Sequence, residues 1–124
     1  SYIKTNSIRQ PARIKEFEEH LGRFEAFCRE YDIELIYVYL PLSDSFRLDD
    51  ILLQLGADPS DYDTSFYERQ MISYCEKTPY RIVNIAPAVQ RAHDEGHELR
   101  FKLDPRFNEF ANDVIGRSLI KALL

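Results

Sequence analysis

Glycine is scarce: four in 124 residues, none of them clustered. That leaves no glycine-rich loop to cradle a phosphate, so nucleotide binding of that kind drops out. Two cysteines, Cys28 and Cys75, show no zinc-ligand spacing. Each falls on the apolar side of a predicted helix, where a free thiol packs as a small hydrophobe. No apolar run approaches the roughly 18–20 residues of a membrane span. No signal-peptide pattern opens the chain, and Ser1 in place of Met suggests a trimmed or mature fragment. The compartment stays open. No basic block interrupts a net charge of −5, which argues against nucleic acid or an anionic membrane as the main partner. What remains is the composition of an ordinary globular chain, 44% hydrophobic and 30% charged, long enough for one domain with a real core.

Residues 1–10 carry no period and read as a tail or edge segment, anchored by Tyr2, Ile3 and Ile8; residues 11–124 read as a single domain. Pro11 opens a helix through about Tyr31, whose apolar face collects Ile14, Phe17, Leu21, Phe24, Phe27, Cys28 and Tyr31. Ile33–Leu40 is nearly all apolar and halted by Pro41, which predicts an inner strand of a parallel sheet covered on both faces. Ser43-Asp44-Ser45 is a polar turn. Leu48–Leu55 is a short helix stopped by Gly56, and Asp58–Asp63 is a loop able to cap the next helix. That helix, over about Thr64–Lys77, directs Phe66, Met71, Tyr74 and Cys75 inward, and Pro79 ends it. Arg81–Ile85 is a second strand, and Ala86-Pro87 opens a helix to about Asp94, broken by Gly96. Leu99, Phe101 and Leu103 alternate with Arg100 and Lys102, a third, half-buried strand.

Asp104-Pro105 then reads as the cap and first turn of a long terminal helix. Its stripe is Phe107, Phe110, Ala111, Val114, Ile115, Ser118, Leu119, Ala122 and Leu123, wide enough to lie on a sheet. Phe24–Glu30 before the first strand also echoes Met71–Lys77 before the second, each an aromatic-Cys-charged-charged helix end. Helix-and-strand units of this kind predict parallel strands with right-handed crossovers. The expected class is α/β, a three-layer αβα fold of flavodoxin-like type with a small parallel sheet of about three strands. So small a sheet has an open edge, which calls for cover by a second copy or by a missing N-terminal segment.

The terminal block, Asp104-Pro-Arg-Phe-Asn108-Glu-Phe-Ala-Asn112-Asp-Val-Ile-Gly116, resembles the last sequence block of SGNH (GDSL-type) hydrolases. There an Asp-x-His-x-Asn turn leads into a helix and delivers the catalytic His, with its Asp partner, to a serine. The likeness runs in order over about residues 12–124. It takes in Ala-Phe-Cys-Arg-Glu, Ile-x-Leu-Ile-x-Val-x-Leu-Pro, a Tyr-Asp loop and Ile-Val-Asn-Ile-Ala-Pro-Ala-Val. Asp104 and Asn108 hold their family positions; Arg106 stands where the His belongs and Ala111 where Gly is usual. Arginine keeps its proton at neutral pH and cannot shuttle one. The family's first half, with its Gly-Asp-Ser nucleophile turn and the Gly and Asn turns of its oxyanion hole, has no counterpart in this sequence. The resemblance therefore implies the C-terminal half of an SGNH-like protein, related to ester-hydrolysing or acetyl-transferring enzymes acting on carbohydrate or other acylated substrates. By itself it would be non-catalytic, a scaffold, binding or assembly module.

A second reading keeps the chemistry. Ser45, in Ser43-Asp44-Ser45-Phe46, follows a strand as a Gly-Asp-Ser-Phe turn would, although Pro41-Leu42 intervenes and Ser43 replaces the permissive Gly. Ser45, Asp104 and a histidine, His97 first, would then form a rearranged hydrolase site. His20 sits on a charged helix and reads as solvated. His93 and His97 are four apart, but Gly96 breaks the helix between them and no third ligand follows, so neither metal nor cofactor is expected. The acidic pairs Asp49-Asp50 and Asp61/Asp63 read as solvated loop carboxylates. A third reading is a protein-interaction domain of unrelated three-layer fold.

Overall fold

The computed structural model describes residues 9–41, 48–63 and 65–124. The anchors Tyr2, Ile3 and Ile8 and the turn containing Ser43, Asp44 and Ser45 lie outside them. Among the described residues the chain is mixed α/β, with five α-helices around a two-stranded parallel sheet. In order these are α1 (Arg9–Glu30), β1 (Ile36–Tyr39), α2 (Leu48–Gln54), α3 (Phe66–Glu76), β2 (Arg81–Asn84), α4 (Ala86–Asp94) and α5 (Glu109–Leu123).

The helix ends follow local chemistry. Helix α1 stops where Asp32 takes a left-handed turn (φ 53°) and Ile33 N–H donates back to the Cys28 carbonyl at 2.8 Å. Asp is among the few residues that tolerate this conformation. Gly56 (φ 78°) and Gly96 (φ 90°) do the same after α2 and α4, with Ala57 N–H on Leu52 O and His97 N–H on Ala92 O. Between α2 and α3, Asp58 caps a single 3₁₀ turn by accepting from Ser60 N–H at 2.9 Å.

Strands β1 and β2 pair in the register Ile36↔Arg81 to Tyr39↔Asn84. Side chains alternate across a strand, so Val38 and Val83 share one face and Tyr37 and Ile82 the other. Val83 and Ile85 join Val89, Ala92, Leu99 and Ala111 in the buried core, with Val114, Ile115, Leu119 and Ala122 of α5 packed against it. Arg81 fastens the far end of α5, its guanidinium donating to the Ala122 carbonyl. Elsewhere on the sheet Tyr37 reaches α1 and α3.

Four expectations are corrected. Leu99–Leu103 is no third strand: only Arg100 and Phe107 form an antiparallel bridge, and while Leu99 is 2% exposed, Leu103 is 97% exposed. The segment folds back on itself, Phe101 N–H donating to Arg106 O and Asn108 N–H to Leu99 O, so these backbone groups pair within the turn instead of with the sheet. Helix α5 begins at Glu109 with Asn108 as its cap, in place of Asp104, whose carboxylate is held by Arg106. Strand β1 is covered only in part, since Val38 on the face that Ile36 shares is 45% exposed. The buried stripe of α5 is also narrower than its spacing suggests, with Phe110 and Leu123 left almost half exposed.

Candidate functional site

The turn that leads into α5 is built by Asn108. Its Oδ1 accepts from Ala111 N–H at 2.9 Å, satisfying one of the free donors at the start of α5. Its Nδ2 donates to Glu98 O at 2.8 Å, and its own N–H donates to Leu99 O at 3.0 Å. One residue thus ties the incoming segment, the outgoing segment and the helix together.

Inside that loop Arg106 folds onto Asp104. Nε lies 3.0 and 2.9 Å from the two carboxylate oxygens, the terminal nitrogen 2.6 Å from Oδ2, and Arg106 N–H donates to Oδ1 at 2.9 Å. These hydrogen bonds hold the Asp104 carboxyl below its usual range and the guanidinium above its own. Both carboxylate oxygens are thus engaged by Arg106. Pro105, Arg106 and Phe107 share an open hollow of about 660 Å³ with Leu40 and Pro41, just past the carboxyl end of β1.

Of the residues of the rearranged hydrolase, His97 and Asp104 each have another neighbour. Ser45 lies outside the described residues. His97 sits beyond the end of α4, its ring stacked on Phe110 of α5 with centroids 4.2 Å apart, whereas Asp104 is engaged by Arg106. Among the described residues no three His, Cys, Asp or Glu side chains gather as metal ligands. Asp63 serves the fold, accepting a fork from Arg69 and a bond from Ser65 N–H at the start of α3.

A second cluster escaped the sequence reading. Glu25 of α1 is only 6% exposed. Tyr37 of β1 donates to its Oε2 at 2.7 Å, and the Tyr74 hydroxyl of α3 lies 2.9 and 2.8 Å from its two oxygens. Burial first, and then the hydrogen bond to Glu25, raise both phenols; Tyr74 is pushed up to about 12 and Tyr37 is raised further still. Tyr80 sets its ring edge-on to Tyr37 at 6.0 Å and accepts from Arg29. Burial also raises the Cys75 thiol, which makes it a poor nucleophile. The signal was present in the spacing: Glu25 stands four after Leu21 and three before Cys28, on the inward line of the helix.

Tyr37 and Tyr74 form part of the wall of a groove of about 610 Å³ between α1, β1 and α3, lined mainly by apolar side chains such as Phe17, Leu21, Leu40, Phe66 and Met71. Arg13 and Glu18 are its charged members among the described residues. The groove is suited to binding.

No family model matches the chain, and no curated protein or solved structure similar to it was found.

Proposed function

We propose that this chain is the C-terminal part of an SGNH-hydrolase-like fold that keeps the architecture without the chemistry and works as a scaffold, binding or assembly module. The observation that carries the reading is the Arg106 fork on Asp104. On the family pattern the Asp of this turn orients a histidine; here both carboxylate oxygens accept from a guanidinium two residues along, and the position holds no proton carrier.

Three features support it. The strands are parallel. Helices pack around the strand pair, α1 and α3 through the tyrosine cluster and α4 and α5 through the apolar core, in keeping with a three-layer αβα arrangement. The Arg106 turn flanks the carboxyl end of β1, where open parallel sheets hold their ligands. On this reading the outer edge of β1 is closed by a further strand, from an N-terminal segment outside this sequence or from a second copy. Its binding surface is the groove, whose volume falls in the roughly 300–1,000 Å³ range of small-molecule pockets.

Treatment with a serine-directed phosphonate, read by intact mass, together with an acetyl-ester turnover assay, tests the loss of chemistry. The expected result is no adduct and no turnover above that of the denatured chain. An adduct mapped to Ser45, with turnover abolished in Ser45→Ala, overturns it in favour of the Ser45–Asp104–His97 hydrolase.

A further inference from the structure

We infer that the outward flank of α1 is the seam of a homodimer, in which α1 of one protomer packs antiparallel on α1 of its partner. Phe17, His20, Phe24, Phe27 and Tyr31 follow one another at steps of three, four, three and four, the heptad rhythm of a two-helix seam. The four aromatic members are 49–61% exposed, and the His20 side chain is 60% exposed. Apart from Phe17, which also lines the groove at the edge of the row, the row is distinct from the residues α1 turns inward, Ile14, Leu21, Glu25 and Cys28. A continuous row of half-bare aromatic rings along one helix marks a surface that is covered in use.

Charge decides what covers it. On the side of the row away from the core run Arg23 and Glu30, of opposite sign and seven residues apart; on the other side lie Leu21 and Cys28, packed into their own protomer. In a parallel pair, Arg23 and Glu30 would face the partner's Leu21 and Cys28 and find no countercharge. In an antiparallel pair the charged flank meets itself. With Phe24 layered on the partner's Phe27, and His20 on the partner's Tyr31, Arg23 comes opposite the partner's Glu30. The two-fold axis repeats the pair. The Arg23 guanidinium already runs along the row, 2.7 Å from His20 Nδ1. The seam needs no hydrolase ancestry and stands or falls on α1 alone.

Sedimentation equilibrium of the full chain under reducing conditions tests it with Arg23→Glu, Glu30→Arg and their equimolar mixture, circular dichroism confirming that each variant is folded. The wild-type chain is expected to dimerise. Each variant alone should raise the dissociation constant at least about tenfold, because two attractive pairs per dimer become repulsive. Mixing the two variants should restore wild-type assembly, since each then presents the other with the opposite charge. A wild-type chain that stays monomeric, single variants that assemble like wild type, or a mixture no tighter than its components overturns the antiparallel seam.

Discussion

Replacing Asn108 with alanine asks where α5 begins, and the two possible answers differ in sign. In the structure Asn108 is the cap: its Oδ1 holds Ala111 N–H and its Nδ2 holds Glu98 O. Loss of the cap costs about 1 kcal/mol, and loss of the second bond about 1 more. Asn108→Ala should therefore destabilise by about 2 kcal/mol, lowering the melting temperature by roughly 5–10 °C for a chain of this size. Had the helix begun at Asp104, residue 108 would be a helix-interior position. There alanine is better than asparagine by up to about 0.7 kcal/mol, and the same substitution would stabilise. Asn108→Ser separates the two bonds, since a hydroxyl can cap but cannot reach Glu98 O as the amide does; it should lose about 1 kcal/mol. Urea titration at constant m-value compares wild type with both variants. An Asn108→Ala midpoint equal to or above wild type refutes the brace.

The Glu25 cluster gives stability an alkaline limit. Both phenols are raised above their ordinary value of 10.0, so their contribution is complete below pH 10.0 and is lost as pH climbs toward the folded value, about 12 for Tyr74. The urea midpoint should fall across that window, and Tyr37→Phe with Tyr74→Phe should flatten the fall; an unchanged slope would contradict it. Glu25→Ala removes the shared acceptor and the packing of a buried side chain, for an expected loss of about 2–4 kcal/mol by the same titration. The Asp104 carboxyl, held low chiefly by the Arg106 side chain, should return to the ordinary carboxylate range in Arg106→Gln, as followed by carbon-detected NMR titration. Because its folded value is depressed, whatever it contributes is present above the unfolded value and lost as pH falls through the folded one. The two free thiols, Cys28 and Cys75, are 2% and 5% exposed and should react with a thiol reagent only on unfolding; rapid labelling of either in the native chain would contradict their burial.

Much of the element order is legible because its signals are local. Pro79, Pro87, Gly56 and Gly96 punctuate helices whose apolar positions recur at three and four, and their bounds in the structure lie within a few residues of those the spacing predicts. The terminal segment is where local signals mislead. Asp104-Pro105 has the chemistry of a helix start, but an arginine two residues on captures the carboxylate and leaves the cap to Asn108. Alternation at Leu99–Leu103 has the period of a strand, yet the turn closes on its own backbone before the segment can reach the sheet. Glu25 was hidden for a different reason. A charge on a helix is read as surface unless its partners are known, and those come from Tyr37 and Tyr74, 12 and 49 residues away. The spacing of α1 does set Glu25 on a line with Leu21 and Cys28, but it does not say how much protein lies beside that line or beside the bare aromatic row next to it.

Both the fold and its functional reading rest on strands that run side by side in one direction, closed on one face by the last helix. Nuclear Overhauser contacts in isotope-labelled protein test this most directly. Parallel-type amide contacts between Ile36–Tyr39 and Arg81–Asn84, with Val114 and Leu119 methyl groups touching the Val83, Ile85 and Val89 cluster, are the result expected. Antiparallel contacts between those strands, or terminal-helix methyl groups with no contact to that cluster, would contradict the fold and with it the functional reading.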